Sequence, residues 1–496
     1  MARRYVSDWQ ARFETTVAGR KKVYSFLWGE SVEVLGRPRG GRVAVRAWGM
    51  EGTMDPGQLG DRPLLEIYVI DVGQGDGILV HTPDDRWHMV DGGKPRSTLQ
   101  LGKGAANFIR WKFRTHLGRD TVALENVVIT HSDFDHYGGV IDVLGGDFGL
   151  RAGDPPLPVD VENLYHCGVG RFAGRAEDEL GRVERGSAPP FPRHERGIPR
   201  DGEFITELLD GKTSFRRPPR PFKREFGDLA RLVAKVPRNV QRLSHRDTHL
   251  KGYGRGENDV AISVLGPVLE DIGGNRVGLR RLGTSSVTAN GHSIVLRLDY
   301  DLARILLTGD LNDRSQKLLL SYMPEEDFAV DVAKACHHGS EDIDLAFVKA
   351  MRPRSTVISS GDNESFSHPR PFAMGASARY GREGVDATTR RQRVLPPLVY
   401  STELARSVRL ENAARARVQA EDGERELSPD LVDVRSTARD AKFRSLERTP
   451  LSTDLIYGLV NVRTDGRSIL CGTLREDGAG FDVQVFKAGE SPTGVG

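Results

Sequence analysis

The sequence predicts an α/β fold whose strands deliver polar side chains to a shared site. Three observations predict it. Between Leu64 and Gly139, apolar strands, a helical stretch, a further strand and a polar loop follow one another. The loop His131-Ser132-Asp133-Phe134-Asp135-His136-Tyr137-Gly138-Gly139 puts four potential metal ligands into six residues. After residue 258, several strands deliver an Asp or a His at or soon after their ends, which is hard to explain without a common site.

With 496 residues, the chain is too long for one ordinary core, so we expect a large catalytic domain with additions. The net charge of +2, with both signs abundant, does not point to any class of partner. Cys167, Cys336 and Cys471 are far apart and lack CxxC spacing, which argues against a disulfide scaffold and a cysteine zinc site. Met1 to Asp8 contain no apolar signal-peptide core, and no run of 18 apolar residues appears, so the expectation is a cytoplasmic protein without a membrane span.

Residues 1–60 read as a small β module. Tyr24 to Leu35 and Arg42 to Trp48 are rich in β-formers, and Gly36-Arg37-Pro38-Arg39-Gly40-Gly41 turns between them. Met54 to Gly60 reads as a linker. Next come two apolar strands flanking Gly73-Gln74-Gly75-Asp76-Gly77, and a third ending at Asp91-Gly92-Gly93. The glycine loop joins strand to strand and lacks the helix N-terminus of a phosphate cradle. Asp71, Asp76 and Asp91 therefore read as strand-end carboxylates near a metal loop or as turn residues, with Asp91 able to bond a ligand histidine. Apolar spacing predicts a helix over about Gly104 to Arg114.

Val127-Val128-Ile129-Thr130 is a buried strand leading into the polar loop. His131 and Asp133 alternate and can face one cation, and Asp135 and His136 can face a second. The same residues also fit a polar surface loop.

Residues 150–258 change character, with frequent Pro, Gly and Arg, and read as an insertion; only Phe204 to Asp210 and Phe226 to Val236 have helical spacing. Between Gly211 and Arg255 there are thirteen basic and three acidic residues, a local charge of +10. That is either a solvated surface or a surface for an anionic substrate, densest at Arg216, Arg217, Arg220, Lys223 and Arg224.

Strands resume at Asp259 to Gly266. A hairpin over Ser293 to Tyr300 and Ala303 to Thr308 leads to Asp310, Ala329 to Cys336 leads to His337-His338-Gly339-Ser340, and Thr356 to Ser360 precedes Ser367-His368-Pro369. Further on, Glu403 to Ala420 reads as helix, Glu421 to Glu426 as a charged loop, Leu455 to Arg463 with Ser468 to Leu474 as a hairpin, and Phe481 to Phe486 as a strand.

Together the Asp71-to-Asp76 loop, the His131-to-Gly139 loop, Ser293 to Leu298 with Leu306 to Leu311, His337-His338-Gly339-Ser340 and Ser367-His368-Pro369 resemble a metallo-β-lactamase-fold hydrolase. More narrowly, they resemble the soluble metallohydrolase domain of ComEC-type DNA-uptake proteins, in the family's order over about residues 64–148 and 259–372. The resemblance implies a four-layer αββα sandwich spanning 61–372, flanked by the 1–60 module, interrupted by the basic 150–258 insertion and followed by a 373–496 extension. It implies two divalent ions. His131, Asp133 and His368 match ligands, Asp135 and His136 match ligands of the second ion, and Asp310 matches the bridging carboxylate. Asp133 stands where the wider fold has His, which leans towards manganese, magnesium or iron over zinc. The fold's mid-chain histidine has His292 as its nearest candidate, beside Asn290.

Asp135, His337 and His338 are the candidate catalytic residues, with either His337 or His338 stabilising charge on a leaving oxygen or ligating metal. The N-terminal module resembles small bacterial Src-homology barrels, which hold a protein partner or pack on the main domain. The expected function is a nuclease or phosphodiesterase acting on nucleic acid or nucleotides. The alternatives are a lactonase, thioesterase or β-lactamase-like hydrolase, and a binding protein with a structural site. The expected substrate surface is Arg216, Arg217, Arg220, Lys223 and Arg224, acting through phosphate contacts that weaken with salt.

Overall fold

A computed structural model describes residues 2–99, 103–151, 153–175, 178–361, 368–390, 393–402, 416–420, 423–427, 459–475 and 480–490. The chain forms two compact units, Met1–Ala405 with Tyr457–Gly496, and Arg406–Ile456. Among the described residues the smaller unit contains one antiparallel hairpin, Ala416–Ala420 against Gly423–Leu427. The helix expected over Glu403 to Ala420 is therefore a strand at its end, and its remainder lies outside the described residues. The loop expected over Glu421 to Glu426 is largely the second strand.

The larger unit is built on two facing sheets. One has nine strands, in the order Asn239–Arg242, Val159–His166, Val122–Ile129, Trp87–Gly92, Gly77–His81, Leu65–Val69, Val460–Thr464, Ser468–Leu474 and Phe481–Lys487. The other has six: Val260–Gly266, Val295–Tyr300, Ala303–Leu307, Val332–Lys334, Ser355–Ile358 and Leu398–Ser401. Alternation along these strands gives each sheet two apolar faces. Ile67, Val69, Ile78 and Val128 of the first pack with Ile262, Leu296, Ile305 and Val357 of the second. On the outer face of the first sheet, Leu79, Met89 and Val127 pack against Ile109, Val140, Val143 and Leu229 from helices. On the outer face of the second, Val295, Leu306 and Ala333 pack against Leu318, Leu319 and Phe347. Helix, sheet, sheet, helix is the αββα order that the sequence resemblance implies.

Two sequence boundaries are corrected. Residues 150–258 are not all insertion. Val159–His166 pairs in parallel with Val122–Ile129, Asn239–Arg242 extends the same sheet, and helix Arg224–Lys235 contributes Phe226, Leu229 and Val233 to the outer core. The period-two pattern of Val159-Asp160-Val161-Glu162 is short and lies inside Pro-, Gly- and Arg-rich flanks that dominate the composition. Nor does the sandwich end at 372, because Leu398–Ser401 completes one sheet and the three last strands extend the other. A smaller four-stranded sheet, Val183–Ser187, Asp201–Ile205, Val277–Arg280 and Glu270–Asp271, leaves the sandwich. Phe204 to Asp210 is accordingly a strand end and loop, not a helix. Its apolar residues have near-helical spacing, but Ile205 pairs with Leu279, and the Leu209 amide donates to the Gly168 carbonyl at 2.8 Å.

Residues 2–60 form a seven-stranded antiparallel module around Phe13, Phe26, Val45 and Met54. The stretch read as a linker ends in strand Leu59–Gly60, which pairs with Ala2–Val6. The module joins the nine-stranded sheet through Leu27, Trp28, Leu64, Leu470 and Val485, and through a buried charge network. Glu30 accepts from Arg463 Nη2 at 2.8 Å and from Trp48 Nε1 at 2.9 Å, with His116 Nε2 at 2.8 Å. Buried Glu66 lies in the same region, near Arg463, His81 and Lys112.

Removing one partner of a buried pair leaves the other charge without compensation, so Arg463→Met should lower the unfolding free energy by about 3–5 kcal/mol, read by urea denaturation. Burial works against the ionised Glu66 carboxylate, but Arg463, His81 and Lys112 outweigh it and hold its pKa at about 2, against 4.5 when unperturbed. Its contribution to stability is therefore complete above about 4.5 and lost as pH falls towards about 2. Glu66→Gln should flatten the acid limb of the stability–pH curve in that window.

Candidate metal centre

Strand Val122–Ile129 runs into Thr130 and His131, and Asp133 opens helix Phe134–Gly145. The helix lies close on the neighbouring strand because Gly139 faces the Gly92 carbonyl, where a Cβ has no room. Gly75 approaches the Asp135 carbonyl in the same way, at φ +117°. Asp91 ends the adjacent strand and is fully buried. It accepts from the Thr130 amide at 2.8 Å and from Thr130 Oγ1 at 2.6 Å. The Thr130 carbonyl in turn accepts from the Ile294 amide at 2.9 Å, tying the loop to the second sheet.

The imidazoles and carboxylates converge behind this loop. His136 Nδ1 lies 2.8 Å from Asp91 Oδ2, and its Nε2 lies 3.1 Å from Asp310 Oδ2 and 3.3 Å from His338 Nε2. His338 Nε2 is 2.9 Å from the same Asp310 oxygen. Its Nδ1 is 3.0 Å from the Ser359 carbonyl and 3.3 Å from Asp76 Oδ1. An Nδ1–H donated to Asp91 in one ring and to Ser359 in the other leaves both Nε2 atoms for the shared pocket, the usual way a protein fixes a ligand histidine. His337 and His338 have left-handed backbones, φ +45° and +55°, and Asp91 has φ +57°. Such strain in residues with side chains gathers at functional sites.

The residues fit a divalent cation. His131, His136 and Asp310 form one group whose ligand atoms lie within 4.8 Å of one another, and Asp135, His136 and His338 form a second. Asp76 joins Asp310 and His338, and also Asp91 and His136, in two more. Buried Asp310 Oδ1, Asp76 Oδ1 and His337 Nδ1 have no hydrogen-bond partner among the described residues. The charge balance is that of a cation site. Burial disfavours charge on His136, but Asp310 and Asp91 outweigh it and push its pKa well up. His338 is opposed by burial and raised to about 9 by Asp310 and Asp76. Asp310, despite burial, is held well below the usual carboxylate range by His136, His338 and Lys334.

The candidate residues divide. His131, Asp135, His136, Asp310 and His338 come together. Burial and the neighbouring His136 hold the His131 pKa well down, and its Nδ1 is 3.1 Å from Thr130 Oγ1. His368 is buried beside them, its ring 5.7 Å from His337 and 6.3 Å from His338, and burial lowers its pKa to about 4. Asp133 falls in none of the four groups; Arg171 pairs with its Oδ1. In the amide orientation that satisfies both ends, Asn290 donates to Asp133 Oδ2 at 2.9 Å and accepts from His337 Nε2 at 3.3 Å. His292 stands apart from the groups. Its Nε2 lies 2.7 Å from the Arg280 carbonyl, where an N–H is required. The resemblance made it the nearest candidate for the fold's mid-chain histidine, but it caps helix Ser285–Gly291 and points to the backbone.

Arg171 and Lys334 were not singled out in the sequence. Arg171 bonds the Ser132 carbonyl at 3.0 Å and Glu179 at 2.8 Å, clamping the loop. It comes from the stretch read as insertion, where an Arg among many carries no signal. Lys334 precedes His337 by three residues in a strand that otherwise reads as apolar.

The basic run is compensated in part. Arg220 pairs with Glu207, and Lys223 with Glu179 at 2.8 Å. Arg238 pairs with Asp160 and Glu162, Arg242 with Asp210 and Arg246 with Asp271. Arg216 donates to the Ala234 carbonyl at 3.1 Å. Arg217 and Arg224 make no ion pair among the described residues.

No protein-family model matches the chain. A stretch of 92 residues is 31% identical to ComE operon protein 3 of Bacillus subtilis (strain 168), covering 18% of this chain and 12% of that protein. The chain is also similar to the metallo-beta-lactamase fold protein YhfI from Bacillus subtilis, at 10% identity and a TM-score of 0.29, over 63% of this chain and 93% of that one. A single-residue mutant of CmlA beta-hydroxylase gives 10% identity and a TM-score of 0.29, over 75% of this chain and 55% of that one.

Asp310→Asn should lower the divalent-ion content of the reconstituted protein, measured by elemental analysis after dialysis, because it removes the carboxylate on which both Nε2 atoms converge. His292→Gln should leave that content at the wild-type level.

Proposed function

We propose that the chain is a metal-dependent hydrolase that cleaves phosphodiester bonds in nucleic acid or nucleotides. The observation that carries this is the convergence of His136 Nε2 and His338 Nε2 on Asp310 Oδ2, with Asp135 and His131 completing two overlapping donor groups. These two groups offer three imidazoles, His131, His136 and His338, and two carboxylates, Asp135 and Asp310, a mixed nitrogen and oxygen set that suits manganese, iron or zinc. The motif resemblance to the metallohydrolase domain of DNA-uptake proteins supports the substrate class.

Two divalent ions held in these groups would supply Lewis acidity and a nucleophilic water at neutral pH. The chain's own residues have separable tasks. Asp91 fixes the His136 tautomer and Ser359 that of His338. His338, with a side chain 1% exposed, is a ligand. His337, with a side chain 25% exposed, is the site histidine that reaches substrate. Asn290 accepts from its Nε2 at 3.3 Å and so orients the ring, and the donor to charge developing on the leaving oxygen is then the Nδ1–H of the protonated imidazole. Arg171 keeps Asp133 and the Ser132 carbonyl in place, so the loop enters the reaction already ordered.

A second reading, a small-molecule hydrolase such as a lactonase, thioesterase or β-lactamase-like enzyme, is favoured by one observation. Six of the thirteen basic side chains, Arg220, Lys223, Arg231, Arg238, Arg242 and Arg246, pair with carboxylates, so less of the charge is available for a long polyanion. Arg217 and Arg224 are the residues of the cluster still suited to phosphate contacts, and a protein partner on the N-terminal module is compatible with either reading.

Metal-loaded protein should hydrolyse single-stranded DNA, duplex DNA, RNA or a cyclic dinucleotide in preference to a lactone and a thioester; turnover of only the last two would remove the phosphodiester reading. His337→Ala should lower turnover at least about tenfold while metal content stays at the wild-type level, and His338→Ala should empty the site, as expected for loss of a hydrogen-bond donor and of a ligand respectively. Changing Arg216, Arg217, Arg220, Lys223 and Arg224 to Ser should flatten the salt dependence of nucleic-acid binding if the substrate is a polymer. An unchanged slope with lowered thermal stability would restrict the substrate to nucleotides or smaller molecules.

A further inference from the structure

We propose that Lys334 is a positioning residue of the metal centre, anchoring Asp76 and Asp310 so that each turns one oxygen towards His338. Lys334 ends strand Val332–Lys334, and its side chain is 1% exposed. Its ammonium lies 2.6 Å from Asp76 Oδ2 and 3.5 Å from Asp310 Oδ1, and donates to the Gly309 carbonyl at 2.8 Å. The other oxygen of each carboxylate faces His338: Asp76 Oδ1 is 3.3 Å from Nδ1, and Asp310 Oδ2 is 2.9 Å from Nε2. Both nitrogens of one imidazole are thus bracketed by carboxylates that share one cation. Gly309 has φ +56° and lies immediately before Asp310, so the lysine also fixes the backbone that presents the carboxylate.

A buried ammonium next to two carboxylates also fits plain charge compensation, with no effect on the pocket. The two roles separate when the charges are removed together. Lys334→Met alone leaves Asp76 buried without its cation and is expected to destabilise the protein. Asp76→Asn with Lys334→Met removes both members of the closest pair, so the metal-free melting temperature should return towards wild type. The hold on His338 does not return. If Lys334 positions the centre, the double variant should bind Mn²⁺ about 10–100-fold more weakly than Asp76→Asn alone, which shares the lost carboxylate, the range typical of lost outer contacts to a metal ligand.

The proposal rests on the metal-centre reading, and one experiment separates their failures. Calorimetric titration with Mn²⁺ is run on the whole chain as wild type, the double variant, Asp76→Asn alone and Lys334→Arg alone, with metal-free melting temperatures measured alongside. Wild type that binds no Mn²⁺ removes the metal-centre reading and the proposal with it. Wild type that binds, beside a double variant no weaker than Asp76→Asn alone, overturns the proposal alone. Should the double variant not fold, Lys334→Arg decides: it keeps the charge but not the lysine's fit to Asp76, Asp310 and Gly309, so weakening of at least about tenfold relative to wild type supports the proposal, and wild-type affinity overturns it.

Discussion

The site depends first on the Asp91 carboxylate. It is fully buried, and it accepts from the Thr130 amide, from Thr130 Oγ1 and from His136. One side chain therefore fixes the start of the loop, the strand next to it and the tautomer of the central histidine. Burial pushes its pKa up, and the nearby His136 works against that rise. A carboxylate in such a place is costly unless each lone pair is used, and here three donors share the task. The contact also explains why the loop has little freedom. Gly92 and Gly139 let backbone meet backbone at the same point, so any shift of the helix would break the Asp91 contacts as well.

The two sheets have unequal roles around this point. The nine-stranded sheet supplies the loop with His131, Asp135 and His136, and its Asp76 turn supplies a further carboxylate. The six-stranded sheet supplies Asp310 and His338 from successive strand ends. Neither sheet holds a complete donor group of the first kind alone, since His131 and His136 come from one and Asp310 from the other. The apolar layer between the sheets, with Val69, Val128, Leu296 and Leu307, thereby sets the spacing of the polar atoms at its edge.

Much of the sandwich was legible because its strands are short apolar runs ended by Gly, Asp or His. Asp91 beside His136 could be anticipated for the same reason, since the sequence puts a carboxylate at a strand end next to the polar loop. What stayed hidden had weaker local signals. Val159–His166 alternates polar and apolar residues within a basic, proline-rich context, so composition outweighed period. Arg171 is one of many arginines, and only the folded chain brings it to Asp133. The split between His337 and His338 is invisible in a His-His pair, because it is set by two consecutive left-handed residues that send the rings to different environments. The acidic partners of the basic run, such as Asp160, Glu179, Glu207 and Asp271, lie outside residues 211–255, so the local sequence does not reveal the pairing.

The strand Leu65–Val69 lies early in the chain, and its neighbour on one side, Val460–Thr464, is close to the far end. Until the ribosome has released that late hairpin, Ile67 and Val69 sit on an open sheet margin beside a finished neighbour, Gly77–His81. A nascent chain in this state offers unpaired amides and carbonyls to any other extended segment. Chains interrupted before residue 460 would carry the same open margin permanently, so Val460–Thr464, Ser468–Leu474 and Phe481–Lys487 move the sheet's edge three strands away from Leu65–Val69.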